Sequence, residues 1–208
     1  MRISNVKNIA FTSTSAIYGE AKIIPTPENY GPLYPISTYG ASKLAAESLI
    51  SSYCHMYGMK SWIFRLANVV GTNQTHGVAV DFINKLKSDP QKLLILGDGS
   101  QSKSYLYIED CIEAIMFAIN NSDDVVNTFN IGSENTVTVR DIANIVVELL
   151  NLYNVELVYT NSKRGWIGDI PQMMLSIDKI KNLGWEPTFD SEESIRRSVS
   201  GLVKNNFI

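Results

Sequence analysis

Cysteine is scarce in this chain: Cys54 and Cys111 are the two in 208 residues. They are too few and too isolated for a disulfide framework, and neither forms a metal-ligand pair, so both read as buried apolar positions in a reducing compartment. A strong excess of either charge is missing too. A net charge of -3 and a pI near 5.4 leave no electrostatic footprint for nucleic acid or an anionic membrane surface. No apolar run approaches the length of a membrane span, and Met1-Arg2-Ile3-Ser4-Asn5-Val6-Lys7 lacks the apolar core of a signal peptide. A cytoplasmic protein follows as the expectation. Repeats and low-complexity tracts are missing as well, and no G-x-G-x-x-G turn precedes Thr14. The nearest lookalike, Gly97-Asp98-Gly99-Ser100-Gln101-Ser102, lacks the third glycine and is followed by strand-like residues, so it reads as a tight turn.

What is present is an ordinary globular balance, 45% apolar and 19% charged, enough for one compact domain or a domain with a small lobe. Asn8 to Ser13 is a short apolar run ending in hydroxyls, the pattern of a buried parallel strand whose carboxyl end faces a site. Residues 15–37 hold Pro25, Pro27, Pro32 and Pro35 and read as an irregular, functional loop. A helix then runs from Ser37 or Thr38 to about Tyr57, closed by Gly58, and Ser61 to Leu66 is the next strand. This order suits a parallel crossover.

Beyond it, a helix is expected over Gly77–Leu86, with strands over Leu93–Leu96 and Ser104–Ile108 and a helix from Glu109. Thr128 to Ile131 is a strand before the turn at Gly132. A helix capped by Thr138, with Asp141 three residues on, runs to about Leu150. Val155 to Tyr159 is a strand, Arg164 to Met174 is irregular, and two helices follow over Ile177–Leu183 and Glu192–Val203. No linker interrupts these elements, so one folded unit is expected, with a site between two lobes.

The chemistry-bearing pattern is Tyr39-Gly40-Ala41-Ser42-Lys43 on that first helix. A tyrosine and a lysine at i, i+4 share a helix face, one turn apart. An ammonium beside a phenol favours the phenolate, which is how a tyrosine becomes basic enough to abstract a proton near neutral pH. Thr14, at the end of the preceding strand, brings a hydroxyl that shares the substrate proton. His55 and His76 have no metal-partner spacing, and packing or solvation accounts for both. Lys85, Lys87 and Lys92 read as a solvated face and Asp123-Asp124 as a turn.

Taken together, several segments resemble the extended short-chain dehydrogenase/reductases, and within them the NAD-dependent epimerase/dehydratase family and its UDP-glucose 4-epimerase-like members. They are Phe11 to Gly19, Tyr39 to Lys43, Arg65-Leu66-Ala67-Asn68-Val69-Val70-Gly71, Gly97 to Asp110, Asn130-Ile131-Gly132, and Gly165 to Asp169. The resemblance implies an α/β fold: the C-terminal part of a doubly wound, Rossmann-type parallel sheet plus a smaller mixed α/β substrate-binding lobe. Residues 1–72 match the end of the dinucleotide-binding domain. Residues 73–208 match mainly the substrate lobe, with 104–132 returning to the sheet.

It also implies roles. Tyr39 is the base and acid at the sugar hydroxyl. Lys43 supports its phenolate and binds the nicotinamide ribose of NAD, and Thr14 orients the sugar. The backbone of Ala67 lies by the nicotinamide, and Asn68 contacts the nucleotide diphosphate. In such epimerases a hydride passes to NAD, leaving a 4-keto sugar that turns over and takes the hydride back on its other face. The substrate implied is a nucleotide sugar, a UDP-sugar first, and the partner a second copy of the chain or a missing N-terminal half. Relatives place a Gly-rich turn and further strands before the segment matching Asn5-Val6-Lys7, roughly three units at about 30 residues each.

Three departures sharpen the reading. Sugar 4,6-dehydratases carry Asp-Glu after the catalytic Thr, where this chain has Ser15-Ala16, which favours an epimerase. Many relatives have Arg-Asp where Lys103-Ser104 stands, and lysine neutralises phosphate without a bidentate fork. Many also have Arg where Trp166 stands, leaving Arg164 as the substitute. Rival readings are a non-catalytic sugar-nucleotide-binding or subunit-interaction protein, and a relative that catalyses 4,6-dehydration or keto-reduction.

Overall fold

A computed structural model describes residues 1–166 and 168–205; Ile167, inside the Gly165 to Asp169 segment, lies outside them. In chain order the first half holds β1 (Asn8–Thr14), α1 (Thr38–Tyr57), β2 (Lys60–Leu66), β3 (Asn68–Val70), α2 (Val78–Ser88), β4 (Lys92–Ile95), β5 (Ser102–Lys103) and β6 (Tyr105–Tyr107). The second holds α3 (Ile108–Asn121), β7 (Val126–Ile131), β8 (Val137–Thr138), α4 (Val139–Leu149), β9 (Glu156–Tyr159), β10 (Gln172–Met173), α5 (Asp178–Lys181) and α6 (Ser191–Lys204).

The main sheet is parallel throughout, in the order β1-β2-β7, with Thr14 opposite Leu66 and Leu66 opposite Ile131. Its central strand is buried from Ser61 to Arg65, and Phe64 and Phe129 are fully enclosed. The edge strand β1 buries only Ser13 and Thr14, at its carboxyl end. Between β1 and β2 the chain crosses through α1. The Ser37 side chain caps that helix by accepting from the Gly40 N–H, and Gly58 ends it in the left-handed region at φ 58°. Apolar residues of α3 pack beneath the sheet with Trp62, Phe64 and Phe129.

A second core lies where α2, α4 and α6 converge on Phe82, Ile83, Leu86, Ile142, Val146 and Val199. Small parallel pairs, β3 with β6 and β4 with β9, and the three-stranded β10-β5-β8 complete this part. Thr138 and Asp141 form the full capping box of α4, each side chain bonding the other's backbone.

Most ends shift by a residue or two, β10 lies inside the stretch expected to be irregular, and three further differences have a local cause. Residues 15–18 of the irregular loop form one 3₁₀ turn. Ile108 starts α3 rather than ending a strand, because Tyr107 is its cap residue. The helix expected over Ile177–Leu183 is confined to α5, with Gly184 beyond it at φ 110°, a conformation that stops a helix.

Candidate active site

The carboxyl ends of parallel strands are where open α/β sheets gather ligands, and here they open into a cavity of about 780 Å³. Thr12, Ser13 and Thr14, at the end of β1, form part of its wall. Thr14 is 9% exposed, and its Oγ1 accepts from the Ala16 N–H at 3.2 Å. The Ser13 hydroxyl is buried without a hydrogen-bond partner among the described residues.

Tyr39 and Lys43 face the same cavity from α1. Their approach depends on Gly40: a Cβ there would stand 2.7 Å from the Ala16 carbonyl oxygen, so only glycine lets the first turn of α1 settle against the turn that follows Thr14. Tyr39 remains 55% exposed. Lys43 Nζ donates to the Thr12 carbonyl at 2.7 Å and sits 5.9 Å from the centre of the Tyr39 ring. A lysine tethered to a strand carbonyl holds its charge at a fixed place beside the phenol.

Ala67 and Asn68 follow β2 into the cavity wall, Ala67 donating its N–H to the Ile131 carbonyl at 2.8 Å and Asn68 its Nδ2 to the Ser104 carbonyl at 3.2 Å. Lys103 comes from β5 and pairs with Asp169 at 2.5 Å. The other Asp169 oxygen accepts from the Gly165 N–H at 3.0 Å. Six of the seven residues singled out in the sequence thus line one cavity. Arg164 is the one outside its wall: it pairs with Glu20, and its Nη1 donates to the Asp169 carbonyl at 2.9 Å.

Sequence reasoning passed over a polar knot behind the site. Arg65 bonds Glu47 through Nε and Nη2, and its Nη1 donates to the Tyr18 hydroxyl at 2.9 Å and the Glu28 carbonyl at 2.8 Å. Tyr18 donates in turn to Asn130 Oδ1 at 2.7 Å, and Asn130 Nδ2 donates to the Thr26 and Ser176 carbonyls. Burial pushes the Tyr18 hydroxyl up to about 12 despite the Arg65 charge beside it. Burial alone would lower Arg65, yet its bonds to Glu47 and the charges of Tyr18 and Glu47 outweigh that and raise it. One signal was available: Glu47 lies four residues after Lys43, on the same helix face. Asp169, Gln101 and Trp166 also line the cavity; all three lie in the segments that carry the family resemblance, though the resemblance gives none of them a role.

A phenol, a tethered ammonium and a strand-end hydroxyl on one wall can hold a hydroxyl-bearing substrate and move its proton. Comparison with known proteins identifies the family. The family model for the NAD dependent epimerase/dehydratase family matches residues 1–132. A relative from Methanocaldococcus jannaschii, provisionally named a UDP-glucose 4-epimerase, is 33% identical over 99% of this chain and 66% of its own length. The crystal structure of a UDP-galactose 4-epimerase superposes with a TM-score of 0.89 at 38% identity, over 98% of this chain and 65% of that one. A Thermotoga maritima UDP-glucose 4-epimerase, solved with UDP-glucose, gives 0.84 at 31% identity, over all of this chain and 66% of that one. The chain belongs to the NAD-dependent epimerase/dehydratase family and has its Rossmann-like α/β architecture. It spans just under two-thirds of the length of these relatives.

NAD is the cofactor of this family, and the residues present fit its nicotinamide–ribose end. The Lys43 ammonium stands at the cavity wall, and Ser13, on the same wall, has a hydroxyl that lacks a polar partner among the described residues. The sequence holds no G-x-G-x-x-G turn for the pyrophosphate.

Proposed function

We propose that this chain carries the proton-transfer and sugar-nucleotide-binding residues of an NAD-dependent nucleotide-sugar 4-epimerase. The observation behind this reading is the convergence of Thr14, Tyr39 and Lys43 on one wall of a cavity that Asn68 and Lys103 also line. Tyr39 takes the proton of the sugar hydroxyl and returns it. Lys43, anchored on the Thr12 carbonyl, stabilises the phenolate and would hold the nicotinamide ribose. Thr14 orients the sugar hydroxyl toward Tyr39. The Ala67 backbone would lie along the nicotinamide. NAD, when bound, supplies the hydride acceptor and donor. Asn68 and Lys103 meet the diphosphate, and Arg164 reaches it after leaving Glu20.

Ser15-Ala16 after Thr14 offers no carboxylate for water loss, which favours epimerisation over 4,6-dehydration. The pyrophosphate cradle is assigned to a further segment or chain that pairs with the open edge of β1. A second copy docks on α1, where Leu49, Tyr53 and Met56 are exposed. The place of work is the cytoplasm; among the described residues no helix is long and apolar enough to cross a membrane.

A second reading, a non-catalytic sugar-nucleotide-binding protein, draws on the same open edge of β1. Calorimetric titration with UDP-glucose and NAD, the chain alone and joined to an N-terminal dinucleotide-binding segment from a relative, separates the two. NAD binding by the joined form, with interconversion of UDP-glucose and UDP-galactose, supports the epimerase. UDP-glucose binding without NAD binding in either form leaves the binding protein.

A further inference from the structure

Leu96, Gln101, Gly165 and Trp166 line the same cavity as Thr14, Tyr39 and Lys43, and Gly165 lies against Leu96. Three observations there point to a ligand of particular chemistry. Trp166 is 61% exposed, whereas the chain's other two tryptophans, Trp62 and Trp185, are buried in the core. The six-membered edge of its indole lies where a Cβ on Gly168 would fall, 2.3 Å away, so glycine at 168 leaves room for the ring. An exposed indole on a cavity wall is a surface on which a flat ring can lie.

The second observation is Gln101. It is 2% exposed, its Nε2 donates to the Lys163 carbonyl at 3.3 Å, and its Oε1 has no hydrogen-bond partner among the described residues. An unmatched buried carbonyl is costly, and a ligand donor would remove that deficit. The third is charge. Lys103 is neutralised by Asp169, and Arg164 is engaged by Glu20 and by the Asp169 carbonyl. Both cations are balanced by carboxylates, so the wall at Trp166 and Gln101 is left to recognise a neutral, planar group with a hydrogen-bond donor.

We propose that Trp166 is the stacking platform for the nucleobase of the nucleotide sugar, with Gln101 Oε1 accepting one hydrogen bond from the base. The inference rests on the nucleotide-sugar reading and adds to it the residue that recognises the base. Stacking of a base on an aromatic side chain is sequence-tolerant and substantial, so Trp166 contributes affinity and Gln101 contributes choice among bases.

The test uses the tryptophan itself. Titrating the whole chain with UDP should quench the long-wavelength emission of the exposed Trp166, while inorganic pyrophosphate and free glucose, which carry no base, should not. By calorimetry W166L should weaken UDP about tenfold and leave pyrophosphate unchanged, with W166F recovering part of the loss. If UDP binds the wild-type chain but neither quenches it nor loses affinity in W166L, the stacking assignment is overturned and the nucleotide-sugar reading stands. If UDP does not bind the wild-type chain at all, both fall together.

Discussion

Helix α1 contributes to two polar regions made from the same kinds of side chain. Glu47 goes to the knot with Arg65 and Tyr18, where every group is enclosed and bonded. Tyr39 and Lys43 go to the cavity, where a tyrosine and a cation again meet but the tyrosine is half exposed. In the knot the phenol is the hub of a network and its proton is held more tightly than usual. In the cavity the phenol stands at the wall with its hydroxyl accessible to a ligand. Enclosure fixes one tyrosine as structure, and openness leaves the other within reach of a ligand.

The largest expected effect comes from removing the phenol proposed to move the sugar proton. In the assembly that binds NAD, Tyr39→Phe should lower kcat for interconversion of UDP-glucose and UDP-galactose by about 10²–10⁴-fold, the scale of lost acid–base catalysis. Calorimetric affinity for UDP should stay within about twofold, since in its proposed role the hydroxyl meets the sugar and not the nucleotide. A mutant that keeps most of its rate would break the comparison at its centre.

Glu47→Ala attacks the other region. It leaves the Arg65 guanidinium, whose side chain is 10% exposed, without its carboxylate, and stranding a buried charge costs about 3–5 kcal/mol. Urea denaturation should show this as a shifted midpoint. Replacing both partners, Glu47→Leu with Arg65→Met, should recover much of the loss, because two matched apolar groups strand nothing. A double variant no better than the single one would mean that the knot is worth more than its ion pair.

How far such regions can be read in advance depends on the reach of their signals. The β1–α1–β2 crossover, the Thr138–Asp141 capping box and the pairing of Tyr39 with Lys43 rest on neighbours within a turn or a strand, and periodicity and spacing expose them. Thr14 was legible as a hydroxyl at the end of an apolar run. Lys103 with Asp169 spans 66 residues and Tyr18 with Asn130 spans 112, separations at which no local pattern survives. Arg65 sits in the run Ser61-Trp62-Ile63-Phe64-Arg65-Leu66 and reads as a strand residue. Its partner is supplied by α1 only once the crossover has formed. Trp166 stood out as a departure from the family pattern, but its exposure at the cavity is a matter of tertiary placement.

Tyr18→Phe probes the knot more gently. The Arg65 Nη1 keeps the Glu28 carbonyl but loses the phenol, and Asn130 Oδ1 loses its donor. A cost of about 1–3 kcal/mol is expected, typical of buried groups left short of one bond. The urea midpoint should fall less than in Glu47→Ala.

The smallest effect is in the alkaline limb of stability. Unfolded tyrosine ionises near pH 10, while folded Tyr18 holds its proton to about 12. Below pH 10 both states carry the proton, and its contribution to stability is fully present. Between pH 10 and 12 the unfolded chain releases the proton and the folded chain does not. Unfolding is then favoured as pH rises, by up to about 1.4 kcal/mol per pH unit from this group. Cys111, raised by burial from 9.0 to about 11, adds a similar slope one unit lower. Urea melts at pH 8.5, 9.5, 10.5 and 11.5 should therefore fall progressively for the native chain. Tyr18→Phe should flatten the upper part of that fall and Cys111→Ala the lower part. Tyr105 and Tyr107, also raised by burial, keep some decline in both variants. Parallel curves for Tyr18→Phe and the native chain would show that the phenol is not held as its enclosure by Arg65 and Asn130 requires.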